Sequence, residues 1–197
     1  GTFAYESTLH VPLIFRLPGI FGREVDERVR HIDIVPSVLD ALGMDPLKDA
    51  PGMSLWPLAL GGRGGEAPSS YFESLSASLN QGWAPLRGIF DGRHKYIDLP
   101  LPELYDLSAD PGETKNLVAR EPEILQRLRS ALGRERLRDR GVKRGAEDAA
   151  TLERLRALGY LAASAPAEQK DVYTEADDPK NLIDIDTRNR AVVTAFM

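Results

Sequence analysis

The apolar positions change rhythm several times along the chain, and each change predicts an element. Val11, Leu13, Ile14 and Phe15 form a nearly unbroken run, so residues 9–16 are expected to be a buried strand, stopped by the turn chemistry of Leu17-Pro18-Gly19. The next stripe has a helical period. Ile34, Val35, Val38, Leu39 and Leu42 share one face, with Asp33 as N-cap, Pro36 tolerable in the first turn and Gly43 able to close the end. From Pro46 to Ser70 periodicity is lost in a Gly- and Pro-rich stretch, loosest at Gly61-Gly62-Arg63-Gly64-Gly65, which reads as a loop or linker.

Short strands are predicted at Tyr71–Leu75, Leu86–Phe90, His94–Asp98 and, edge-like, Glu103–Leu107. Asp91-Gly92 is a tight-turn signal and should join the second and third of these as an antiparallel hairpin. Asp110-Pro111-Gly112-Glu113 turns the chain, and Pro122 opens a helix striped by Ile124, Leu125, Leu128 and Leu132. Leu152, Leu155 and Leu158, with Gly159 beyond them, predict a short further helix. Residues 164–176 read as an exposed connector, and a last helix starts at Asp178-Pro179 with Leu182, Ile185, Val192 and Phe196 near helical spacing.

Composition narrows the function classes. A length of 197 residues with 42% hydrophobic content fits one or two globular domains. No run reaches the ~18 consecutive apolar residues of a spanning helix, so no membrane segment is expected in this piece. The absence of cysteine removes disulfides, thiolate metal sites and a cysteine nucleophile. The net charge of −5 argues against nucleic acid as a partner of the whole chain. Arg120–Arg144, with nine basic and four acidic residues, reads as a solvated helical face.

Five motifs then carry a resemblance: YES-x-L-x-VPLIF-x-LPG at Tyr5–Gly19, HIDIVPSVLDALG at His31–Gly43, PGMSLWPLALG at Pro51–Gly61, GWAPLRGIFDGRHKYI at Gly82–Ile97 and ELYDLSADPGETKNL at Glu103–Leu117. In this order the chain resembles the C-terminal part of a sulfatase, over roughly its first 120 residues. Both ends read as cut points, since the apolar run starts soon after Gly1 and the last stripe is still running at Met197.

The resemblance implies an α/β fold. Residues 1–65 would end the α/β catalytic domain with its large sheet, and 66–140 would form a small C-terminal subdomain of antiparallel sheet and helix. A helix and linker would follow at 141–177, and 178–197 would begin a helical region similar to a tetratricopeptide array. It also implies that the chemistry lies elsewhere. Sulfatases attack sulfur with a formylglycine hydrate made from a Cys/Ser-x-Pro-x-Arg motif, and the nearest echo here, Ser164-Ala165-Pro166-Ala167-Glu168, lacks the arginine and reads as linker. The family's Ca²⁺ or Mg²⁺ is held by residues upstream of the matching region, so this piece alone is expected to bind none and to be inactive.

What the resemblance leaves are substrate-side candidates. Glu73, Trp83 and Arg87 fall in segments that approach the mouth of the sulfatase site, where a carboxylate, an indole and a guanidinium could grip a sulfated sugar or alcohol. Against this stand a packing role for Trp83, a salt-bridging role for Arg87 and a solvated strand end for Glu73. His31 with Asp33, His10 and the acidic set Glu103, Asp106, Asp110 and Glu113 read as structural, and Lys95 as solvated.

The expected parent is a sulfate-ester hydrolase of the alkaline phosphatase superfamily, periplasmic or secreted by resemblance. Its partners would be a sulfate-ester substrate, the missing N-terminal catalytic half and a protein reached through the C-terminal helical region. The alternatives are phosphonate or phosphate ester hydrolysis, sulfate or phosphate group transfer, or a non-catalytic scaffold.

Overall fold

A computed structural model describes residues 2–16, 22–62, 69–138 and 170–195. They form two compact units, Gly1–His10 with Tyr71–Met197, and Val11–Ser70. The helix predicted at 152–159 and the linker echo at Ser164 lie outside the described residues.

The first unit is built on a four-stranded sheet in sequential order: β1 (Ser70–Ser74), β2 (Leu86–Asp91), β3 (His94–Asp98) and β4 (Glu103–Asp106). The hairpin forms as the Asp-Gly signal predicts, with Arg87 opposite Asp98 and Phe90 opposite Lys95. Gly92 has φ +59° and turns the chain where a side chain would be strained. β4 adds antiparallel to β3, Lys95 facing Tyr105. Its far margin is met by the Asn-Leu of the last motif: Asn116 Oδ1 accepts the Leu104 N–H at 3.1 Å, and the Leu117 N–H reaches the Leu104 carbonyl at 2.8 Å.

The two faces of the sheet follow from its alternation. On one, Ile89, Tyr96 and Leu104 pack against Leu128, Ala131 and Leu132 of the Pro122–Arg138 helix. Burying each large apolar side chain contributes about 1.5–3 kcal/mol, so the predicted stripe fixes this helix. Its polar flank is not merely solvated. Arg127 pairs with Asp91, Arg129 Nε donates to the Tyr96 hydroxyl at 3.3 Å, and Arg136 lies 3.9 Å from Asp98. The other face gathers Leu86, Ile97, Tyr105, Ala4 and Tyr5, with Phe72, Phe90 and Tyr173 at its rim. Gly88 sits under Phe72, where a Cβ would come within 2.2 Å of the ring. A short helix, Ser76–Gln81, unforeseen in the sequence, joins β1 to β2 and ends at Gly82 with φ +72°. The last helix, Pro179–Ala195, starts where predicted, with Asp178 Oδ1 accepting the Lys180 N–H at 3.0 Å as its N-cap.

In the second unit the expected helix appears as a 3₁₀ turn, His31–Asp33, continued by Ile34–Ala41, and Gly43 closes it at φ +64°. Asp33 does not cap the α-helix through its side chain. It is buried, and its carboxylate accepts the Arg30 N–H at 2.9 Å, the Arg30 guanidinium at 2.8 Å and the Met53 N–H at 3.0 Å. Ser37 accepts the Leu55 N–H at 2.9 Å, so the second and third motifs are zipped together by side chain–backbone bonds. Gly52 is needed in that zipper, since a Cβ there would lie 1.9 Å from the Ile32 carbonyl oxygen. The Pro46–Ser70 stretch read as a loop or linker contains one more short helix, Trp56–Ala59, within the third motif.

Two expectations fail in this unit. Residues 11–16 form no strand; a helical turn, Glu6–Leu9, precedes them, and Val11 and Ile14 are 55% and 82% exposed. A strand is defined by its ladder, and among the described residues no strand runs beside this run. The other is the Asp33 side-chain cap; the helix itself forms as expected, and Val35, Val38 and Leu42 on its apolar face are exposed.

Candidate functional site

β1 places Tyr71 and Glu73 two residues apart, hence on one face, and β2 brings Arg87 beside them. The Tyr71 hydroxyl donates to Glu73 Oε2 at 2.5 Å, and Arg87 Nε lies 4.0 Å from the same oxygen. Burial, then the Glu73 carboxylate, pushes the Tyr71 phenol up to about 12, so it stays a donor at neutral pH. The Glu73 carboxylate and the Arg87 guanidinium are both partly open to solvent. Such a group can accept from sugar hydroxyls through the carboxylate and donate to an oxyanion or alcohol through the guanidinium. Trp83 follows Gly82 and is only 9% exposed. The structure thus brings Glu73 and Arg87 together, adds Tyr71, which the sequence reading missed, and encloses Trp83.

Lys95 is not solvated. It is fully buried, with Nζ 2.6 Å from Glu113 Oε1 and 3.5 Å from Glu6 Oε1. The sheet alternation turns it inward with Ile97, and Phe90 and Phe72 close round the ammonium at 5.1 and 5.4 Å. Glu113 reaches inward from a backbone position of φ +53° and also accepts the Glu6 N–H at 2.5 Å.

The acidic set is committed to protein donors. Glu103 accepts from the Tyr5 and Tyr105 hydroxyls at 3.1 and 3.0 Å; Asp106 pairs with Arg93 at 3.2 Å; Asp110 accepts the Thr114 and Lys115 N–H groups. Burial first, then Glu103, raises the Tyr5 and Tyr105 phenols well above their ordinary range. No cluster among the described residues has the ligands to hold a metal ion. His10 and His31 are exposed, while His94 is buried, its Nε2 3.7 Å from Glu121 Oε2. An apolar cavity of about 190 Å³ in the second unit is lined by Phe15, Val38, Leu42, Leu55 and Trp56 together with Ser37, whose hydroxyl is committed to the Asp33 carbonyl at 2.6 Å.

The sequence profile of one family, N-sulphoglucosamine sulphohydrolase, C-terminal, matches residues 2–139. The chain belongs to that family. Human arylsulfatase K is 34% identical over 137 residues, covering 63% of this chain and 25% of that protein. The chain spans about a quarter of the length of the curated relatives it matches. Among solved structures, a 2-O GAG sulfatase is 30% identical with a TM-score of 0.46, covering 54% of this chain and 24% of that one. A phosphonate monoester hydrolase from Silicibacter pomeroyi is 23% identical with a TM-score of 0.49, covering 63% of this chain and 28% of that one. The sulfatase C-terminal family match ends before the Pro179–Ala195 helix, which lies outside it.

Proposed function

We propose that this chain supplies the C-terminal subdomain of a sulfate-ester hydrolase and is inert by itself. The observation that carries the reading is the family match over residues 2–139 in a chain that has no cysteine and no Cys/Ser-x-Pro-x-Arg motif. Sulfatases as a family depend on a divalent cation, and Ca²⁺ or Mg²⁺ is proposed for the parent. The described residues do not fit that ion: none of them form a group able to hold a metal, and Glu103, Asp106, Asp110 and Glu113 are engaged by Tyr, Arg, Lys and backbone donors. Its ligands are assigned, in this proposal, to the catalytic half.

In this reading Glu73 and Arg87 hold the alcohol portion of a sulfated sugar, with Tyr71 orienting the carboxylate and Trp83 supporting the loop beneath. A periplasmic or secreted parent is proposed on the resemblance alone.

The test joins this chain to the adjoining coding sequence and assays aryl sulfate, aryl phosphonate and aryl phosphate hydrolysis with Ca²⁺ or Mg²⁺. Preference for the sulfate ester supports the proposal. Preference for either phosphorus ester moves the assignment to the neighbouring activity, and no turnover with an adjoining sequence that lacks the nucleophile motif favours a scaffold. Turnover by the 197-residue chain alone would overturn the division of labour.

A further inference from the structure

We propose that residues 173–181 are a strap seated in a peptide-recognition site on the sulfatase subdomain, filled by Asp177-Asp178-Pro179-Lys180 of the same chain. The segment lies beyond the family match, separated from it by residues 140–172. It nonetheless makes a set of contacts that an incidental tail would not make. The Ala84 N–H donates to the Asp177 carbonyl at 2.9 Å. Asp178 is completely buried, and its Oδ2 accepts the Leu101 N–H at 2.8 Å. Lys180 Nζ donates to the Leu101 carbonyl at 2.7 Å and lies 3.7 Å from Glu103 Oε2 and 3.3 Å from Asp178 Oδ1. Tyr173 packs against the Leu86–Ile97–Tyr105 cluster.

Each part of the peptide has a task. The acid satisfies a backbone donor in the Leu99–Leu101 bend, the proline sets the first turn of the helix, and the lysine neutralises a carboxylate that otherwise faces two phenols. A buried carboxylate is tolerated only where such partners are in place, so the site and its occupant are complementary in charge and hydrogen bonding. Glu103 is the meeting point: Tyr5 reaches it from one end of the chain and Lys180 from the other. The strap therefore belongs to the subdomain, and the Pro179–Ala195 helix leaves it from an anchored first turn.

Hydrogen exchange on the intact chain tests this, read at the Leu101 and Ala84 amides, across 174–178, and at Tyr96 and Ile97 as a control for the sheet. In the wild type the strap and Leu101 amides should exchange slowly together. Asp178→Ala should speed Leu101 exchange about ten- to a hundredfold while Tyr96 and Ile97 stay protected, and Lys180→Met should do so in part where Lys180→Arg does not. If Asp178→Ala also deprotects the sheet, slow strap exchange in the wild type still supports the proposal, because the strap is then part of the cooperative unit. Coil-like exchange across 174–178 in the wild type, or an unchanged Leu101 in Asp178→Ala, overturns it.

Discussion

Lys95 and Glu113 meet 2.6 Å apart in the interior of the subdomain, the lysine with no exposed side-chain surface and the glutamate with 3%. The pair ties β3 to the turn after β4, and through Glu6 it ties both to the start of the chain. Removing one partner leaves the other charge buried and uncompensated. Lys95→Ala should therefore cost about 3–5 kcal/mol in denaturant unfolding. Lys95→Met combined with Glu113→Gln should cost less than the sum of the single changes, and strict additivity would show that the ion pair is not coupled.

The tyrosines give an alkaline signature. Burial, then nearby carboxylates, raises Tyr71, and burial, with opposing effects of Arg129 and Asp98, raises Tyr96, each to about 12. Tyr5 and Tyr105 move in the same direction. Raised folded values mean that this stabilisation is whole below the ordinary phenol range near ~10 and is lost as pH climbs from there through the raised values. Phenolate absorbance should thus lag behind that of the denatured chain and rise together with loss of structure. Ordinary titration of these groups in the folded protein would contradict the geometry.

Asp33 supplies the acid counterpart. Burial alone would raise its carboxyl, yet the hydrogen bonds from Arg30 and Met53 outweigh this and hold it below the usual range. A depressed folded value means stabilisation present above the ordinary carboxylate range near ~3.9 and lost as pH falls through the depressed value. Asp33→Asn should lower stability at neutral pH by about 1.5–3 kcal/mol and flatten the acid limb, measured by denaturant midpoints across that range. An unchanged acid limb would remove Asp33 as its source.

If Arg87 holds the alcohol as proposed, Arg87→Ala in the proposed full-length hydrolase should raise KM more than it lowers kcat, because such a grip is made about equally in ground and transition states. Trp83→Ala is expected to act differently. Its ring is 9% exposed, and its loss should appear as a fall in Tm corresponding to about 3–5 kcal/mol. A thermal melt beside steady-state kinetics on both variants checks this, and an unchanged melt with raised KM for Trp83→Ala would assign the indole to the substrate.

Local chemistry explains which features could be read in advance. Asp91-Gly92 and the alternation around it specify the hairpin without help from distant residues, and the Ile124–Leu132 stripe specifies its helix. Residues 11–16 carry an equally strong apolar run, but a strand also needs neighbours to pair with, and periodicity contains no information about them. Lys95 was unreadable for the opposite reason. Its type signals solvent, and only partners distant in sequence, Glu6 and Glu113, make its burial affordable. The Glu73–Arg87 juxtaposition depends on β1 lying beside β2, which no turn signal specifies.

The Asn116–Leu117 cover on β4 bears on how copies of this subdomain behave at high concentration. An open strand margin is a template onto which another chain can add, and misassembly begins at such margins. Here the Leu104 donor and acceptor are already occupied and the Asn116 amide also caps the Pro102 carbonyl at 3.0 Å, so that margin offers an incoming strand little to pair with. The other margin of the described sheet is β1, where Tyr71 and Glu73, with Arg87 beside them on β2, set a charged, bulky side-chain pattern that an arriving strand would have to match.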